Sequence, residues 1–195
     1  LLACSALVGD LAQTPSPAAP TTDVIASVNG VPITRADLER RAALVQAAMW
    51  LVTGKSTGEM DVETLIGQMV DAELMAQAAA QGGYAVTEQD AREEIGRYLA
   101  QSNLTDSDLA RQLELLGLTL TEFVRYQQRA LTIQRYTQEV ILKNASASEQ
   151  MTTTRTWLLR LRADAKIERP TAPAAAQRAG AYAGALAPDF SLNDT

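Results

Sequence analysis

The chain has 195 residues, which at roughly 150 residues per domain makes one compact domain with extra segments or two small ones, and excludes a large multidomain enzyme. It carries no histidine and a single cysteine, so a histidine base, a zinc site, a Cys-His dyad and an internal disulfide are all excluded. A formal charge of −6, with no cluster of cations along the chain, excludes a broad phosphate-binding face, and nucleic acid is not an expected partner.

The chain opens Leu1-Leu2-Ala3-Cys4, apolar then small then cysteine, with no initiator methionine. That order is similar to the lipobox of bacterial lipoproteins, in which a signal peptide is cut just before a cysteine that carries a diacylglycerol. Cys4 matches the lipidated position, and the resemblance implies a membrane partner held through its acyl chains. The alternative is a chance apolar N-terminus. The Pro/Ala/Thr-rich stretch from Thr14 to Thr22 fits a flexible tether, so residues 1–22 are expected to be lipobox remnant and tether. No apolar run in the rest of the sequence approaches the twenty residues a membrane-spanning helix needs.

Val24 to Val28 is a β-branched run, followed by Asn29-Gly30 and then Val31-Pro32-Ile33, which predicts a strand, a tight turn and a return strand that Pro32 confines to a sheet edge. Thr34 and Asp37 form a shortened capping box for a first helix, with Leu38, Ala42, Val45, Met49 and Val52 at helical spacing up to Gly54. A second helix is predicted from Asp61 to Gln81, with Leu65, Met69, Ala72, Ala76 and Ala79 on one stripe and Gly82-Gly83 as the stop. Thr87 caps a third from Glu88 to about Ala100, with an acidic first turn suited to the helix dipole and Asn103 as its breaker. Thr105 and Asp108 start a short fourth helix carrying Leu109, Leu113 and Leu116 and ending at Gly117. Thr119 or Thr121 opens a long fifth through Phe123, Tyr126, Ala130, Ile133, Val140 and Ile141.

Residues 143–154 are polar and Ser/Thr/Ala-rich, fitting a loop or a frayed helical turn. Trp157, Leu158, Leu161 and Ala165 resume helical spacing before Lys166 to Arg169, a candidate terminal strand. From Pro170 to Gly184 the composition turns to Ala, Pro and Gly, the signature of a linker.

The opening from Ile25 to Thr34, the succession of capped helices, and the closing Trp157-Leu158, Leu161-Arg162 and Ala165-Lys166-Ile167 resemble the N-terminal chaperone domain of the SurA/PrsA family of extracytoplasmic foldases. The likeness covers about residues 23–169. It implies a mainly α fold: a bundle of five to six helices with a small β-ribbon in which the terminal strand joins the opening hairpin. It also implies that the helices cradle unfolded outer-membrane or secreted clients. In that family a parvulin-type prolyl isomerase is usually inserted before the last helix. Here only residues 144–153 occupy that place, so the isomerase activity does not carry over.

Residues 184–194, with Ala187-Pro188-Asp189-Phe190-Ser191-Leu192-Asn193-Asp194, are similar to the entry segment of thioredoxin-like proteins of the peroxiredoxin and TlpA/ResA kinds. Residues 185–195 would then be the start of a truncated thioredoxin-like domain; the alternative is an acidic tail.

For function, a client-binding surface needs adaptable apolar side chains, and methionine suits promiscuous contact. Met49, Trp50, Leu51 and Met60 surround the first interhelical loop, and the run Met49 to Val52 holds more apolar surface than one helix face buries. Against this stands the reading that they are ordinary core. Paired acids at Glu93-Glu94 and at Asp106 and Asp108 are explained by capping and the helix dipole. Arg155, Arg160, Arg162 and Arg169 are assigned no function. The preferred expectation is a lipid-anchored, envelope-located, non-catalytic chaperone-like domain that binds non-native polypeptides without cofactor or metal. The alternative is a recruiting or dimerizing stalk of an envelope thiol oxidoreductase whose redox domain lies beyond Thr195. A homodimer is compatible with either, and a helical oligomerization module without a client is a third reading.

Overall fold

A computed structural model describes residues 23–55 and 61–170. The expected tether, Cys4, Met60, the expected linker beyond Pro170 and the segment expected to begin a thioredoxin-like domain lie outside the described residues.

Strands β1 (Val24–Val28) and β2 (Val31–Thr34) form the expected hairpin. Its turn residues Asn29 and Gly30 have φ of 52° and 84°, the paired positive values of a type I′ turn, whose twist matches that of the strands. Val28 faces Val31 and Ala26 faces Ile33, with an irregularity at Ile25. Strand β3 (Ile167–Glu168) pairs antiparallel with the other side of β1, so the order is β2-β1-β3 and Pro32 sits on an edge, as its missing N–H demands. Asn29 extends this closure: its backbone N–H donates to the Lys166 carbonyl at 2.8 Å, and its Oδ1 accepts from the Lys166 N–H at 2.9 Å.

Six α-helices follow among the described residues: α1 (Arg35–Thr53), α2 (Val62–Gln81), α3 (Glu88–Gln101), α4 (Asp106–Leu115), α5 (Leu120–Tyr136) and α6 (Gln150–Asp164). The fold is mainly α with a small three-stranded antiparallel sheet. Four helices start with complete capping boxes, Thr34/Asp37, Thr87/Asp90, Thr105/Asp108 and Thr119/Glu122, which satisfy N–H groups that no helical carbonyl can reach. Thr119, rather than Thr121, therefore opens α5. The expected continuation to Ile141 is a π-helical turn, Thr137–Ile141, whose Leu142 N–H reaches back to the Thr137 carbonyl. Thr137 Oγ1 already donates to the Ile133 carbonyl at 2.8 Å at this point, a back-bond of the kind that bends helices. Only residues 142–149 join this rod to α6.

The interior is two clusters. One gathers Leu51 with Ile95, Leu99, Leu109, Leu113 and Phe123 from α1, α3, α4 and α5. The other packs Val28 and Ile33 of the sheet against Leu38 of α1 and Leu65, Ile66, Val70 and Leu74 of α2. Helix α1 serves both, burying Leu38 in one and Ala47 and Leu51 in the other. Its predicted stripe accordingly fails at its end. Ala42 and Val45 pack on the sheet-side cluster, whereas Met49 and Val52 are 41% and 57% exposed, because the buried face of the helix rotates where it passes between cores. In α2 the predicted Leu65 and Ala79 are buried and Met69 packs half-buried on the sheet-side cluster, while the rest of the buried stripe is Ile66, Val70 and Leu74, and Ala72 and Ala76 are half-buried beside it.

Candidate functional site

Between the two clusters the helices stand apart and leave a cleft of about 470 Å³, walled by α1, α2 and α5 with β2 on its rim. Each helix contributes one face. Helix α1 supplies Asp37, Arg40, Arg41 and Leu44, and α5 supplies Glu122, Arg125, Tyr126 and Arg129, both at the i, i+3, i+4, i+7 spacing of a single stripe. Helix α2 adds Met69, Ala72 and Glu73. Leu44, Met69, Ala72 and Tyr126 give the cleft apolar surface, and the arginines and carboxylates are set around it. A second hollow of about 220 Å³ shares Arg125 and Arg129 with the first and runs on past Ala76, Tyr84 and Val86. From Glu122 to Thr132 α5 rises about 15 Å, room for four or five residues of extended chain.

The walls are tied to the scaffold. Arg40 Nη1 donates to the Gly117 carbonyl at 2.8 Å, and its Nη2 lies 3.3 Å from Glu122 Oε1. The Thr119 hydroxyl and N–H hold the Glu122 carboxyl below its usual range, helped by Arg40 and Arg125. Arg129 pairs with Glu73 at 2.5 Å. Glu73 accepts from Gln77 Nε2 at 2.9 Å, and Gln77 Oε1 accepts from Asn29 Nδ2 at 2.8 Å, so one polar relay runs from the cleft wall to the hairpin turn that clamps β3. The Arg41 guanidinium lies 4.8 Å over the Tyr126 ring.

The sequence-expected residues fall elsewhere. Met49 is exposed near the C-terminal end of α1, and Trp50 is half-buried against the cluster around Phe123. Leu51 corrects the expectation for its own side chain: at 0% exposure it is core and offers no surface, because α3 and α4 close over that turn of α1. Met60 and Cys4 lie outside the described residues. Glu93 accepts from Gln89, Glu94 pairs with Arg97, and Asp108 is spent in the α4 cap. Arg162 and Arg169 bind Asp71 and Glu63 of α2 at 2.6 and 2.8 Å and so hold the last helix and strand in place. Among the described residues no three Cys, Asp or Glu side chains converge as metal ligands, and no helix is long and apolar enough to cross a membrane.

Sequence reasoning missed the cleft. Its signal was present as Arg40-Arg41 followed by Leu44 one turn on, and as Arg125 and Arg129 one turn apart around Tyr126.

Against known proteins, the family model described as the SurA-like N-terminal domain matches residues 6–137. The chaperone SurA of Saccharophagus degradans is 26% identical over 147 residues, covering 74% of this chain and 34% of that protein. The chain thus spans about a third of the length of this curated relative.

Proposed function

The chain belongs to the SurA-like N-terminal domain family, and from that premise we propose that it is a chaperone-like holding domain of the bacterial cell envelope that binds non-native polypeptide segments without covalent chemistry. The observation that carries the reading is the open cleft between α1, α2 and α5, with apolar surface along it and a second hollow continuing it. Extended chain is the ligand such a groove accommodates, and Met49 and Val52 add exposed apolar surface at the end of α1.

We read Cys4 as the site of lipid attachment that would hold this domain to a membrane; the Leu1-Leu2-Ala3-Cys4 order supports this. Mass spectrometry of the protein expressed behind a lipoprotein leader tests it, and an unmodified Cys4 thiol refutes it. The client reading is tested by light scattering with an aggregating client and the full chain. Suppression at a few-fold molar excess is expected, and scattering unchanged at that excess removes the proposal.

A further inference from the structure

The charges of the cleft do not balance. Four arginines face three carboxylates, and all three carboxylates are engaged. Glu122 pairs with Arg40 and Glu73 with Arg129, while Asp37 Oδ2 accepts from the Thr34 N–H and hydroxyl at 2.9 and 2.7 Å in the α1 capping box. Arg41 and Arg125 make no direct ion pair among the described residues, Arg125 acting on the Glu122 carboxylate only through its field. Arg41 is also the one place among the described residues where a buried side-chain polar atom, its Nε, has no hydrogen-bond acceptor. A buried N–H without an acceptor is destabilising, and on a cation more so. The guanidinium is meanwhile fixed in orientation by the Tyr126 ring beneath it, so little conformational freedom remains to be lost when an anion arrives.

We propose that this cleft selects, from the polypeptides the domain holds, extended segments that carry an aspartate or glutamate side chain beside an apolar residue. The carboxylate sits between Arg41 and Arg125, and the neighbouring side chain rests on Leu44, Met69 and Tyr126. Charge complementarity argues for the anion, and planar guanidinium groups favour a carboxylate that can accept two parallel N–H bonds. The continuation of the cleft past Arg125 and Arg129 into the second hollow argues for a chain that passes through rather than ends there, hence for a side-chain carboxylate over a terminal one. Strand addition on β2 is a poorer mode, since Pro32 removes a donor from that edge. The inference rests on the client-holding reading and narrows it.

The test is fluorescence anisotropy with the full chain and labelled, C-terminally amidated peptides containing Phe-Glu-Leu, against the same peptides with Phe-Gln-Leu. The glutamate peptide is expected to bind roughly tenfold or more tightly, the discrimination a charge-assisted bond lends. Arg41→Met keeps the stem and removes the charge, so it should abolish the difference while leaving the circular dichroism spectrum in place. Arg125→Gln is a second variant on an exposed position and should reduce the difference even if Arg41→Met fails to fold. Equal binding of the two peptides, or a glutamate preference that survives both substitutions, overturns the inference. So does a Phe-Gln-Leu peptide with a free C-terminus that binds as tightly as the glutamate one, since the carboxylate recognised is then terminal. Aggregation suppression alongside equal peptide binding sinks this inference alone; no suppression and no binding of either peptide sinks the client-holding reading with it.

Discussion

Replacing Gly82 with alanine isolates the contact that docks the last helix. Gly82 ends α2 at φ −75°, a conformation alanine adopts without strain, so shortening the unfolded chain's freedom alone would stabilise the protein by about 0.4–1 kcal/mol. The added Cβ, however, would stand 2.6 Å from Tyr136 Cε2, so the ring must withdraw by roughly 1 Å to reach ordinary carbon contact. It has little room to do so. Tyr136 meets Tyr84 edge-on at 5.1 Å and Trp157 of α6 at 5.9 Å, and overpacking of this kind costs about 1–3 kcal/mol. The net expectation is a loss of about 1–2 kcal/mol, or a melting temperature lower by about 3–6 °C. Helix α6 has no fully buried residue of its own, so trypsin should cut sooner at Arg155 and Arg160. In a Tyr136→Ala background the sign should invert and Gly82→Ala should stabilise by about 0.4–1 kcal/mol. A melting temperature that rises on Gly82→Ala in the unaltered chain refutes the reasoning, because the ring would then be free to move.

Leu51→Ala should cost about 2–5 kcal/mol in urea denaturation, since it empties a fully buried site, whereas Val52→Ser one residue on should change stability by less than about 0.5 kcal/mol; equal costs would contradict the rotation of α1 between two cores. Asn29→Ala leaves at φ 52° a residue without the polar side chain that makes this region tolerable and removes the bonds to Lys166 and Gln77, for about 2 kcal/mol, while Asn29→Gly keeps the turn and should cost about half of that; faster amide exchange at Ile167 and Glu168 in both reports the loosened β3. Stability should be flat from pH 5 to 8 because the chain has no histidine. Hydrogen bonds from the Thr hydroxyls and N–H groups of the capping boxes hold Asp90, Asp108 and Glu122 below their ordinary values, so their contribution is complete above about pH 5 and is lost as pH falls through the lowered values. Burial, first among its causes, raises Tyr84 and Tyr98, so a second loss should begin only above about pH 10, as pH rises through the raised values. A titration of the urea midpoint with a step between pH 5 and 8 would contradict this.

What the sequence declared was local chemistry. Asn29-Gly30 admits one turn type, Thr34, Thr87, Thr105 and Thr119 each stand three residues before an acid that completes a box, and Pro32 can lie only on an edge, so the hairpin, the helix starts and the edge strand were legible from neighbours in the chain. The fate of Met49 to Val52 depended on what α3 and α4 cover, which no window of sequence holds, and there the expectation divided residue by residue: Leu51 is enclosed, Val52 is not.

The cleft was hidden for a related reason. Periodicity finds a helix face by its apolar residues, and a face that borders a groove is mixed by necessity, since it must stay wet until a ligand arrives yet offer enough apolar surface to gain from one. Met69, Ala72 and Ala76 read as core spacing in α2, but they border the cleft: Met69 packs half-buried on the sheet-side cluster, and Ala72 and Ala76 are small enough to leave space where Ile66, Val70 and Leu74 fill it. The arginines opposite them carry no sequence signal of their pairing, because the carboxylates that pair with Arg40 and Arg129 come from other helices. In a domain built of two cores bridged by one helix, the residues between the cores are the ones whose spacing argues for burial and whose chemistry argues against it. That conflict, at Arg41 above all, is where a binding surface is expected when local rules are broken without a gain in stability.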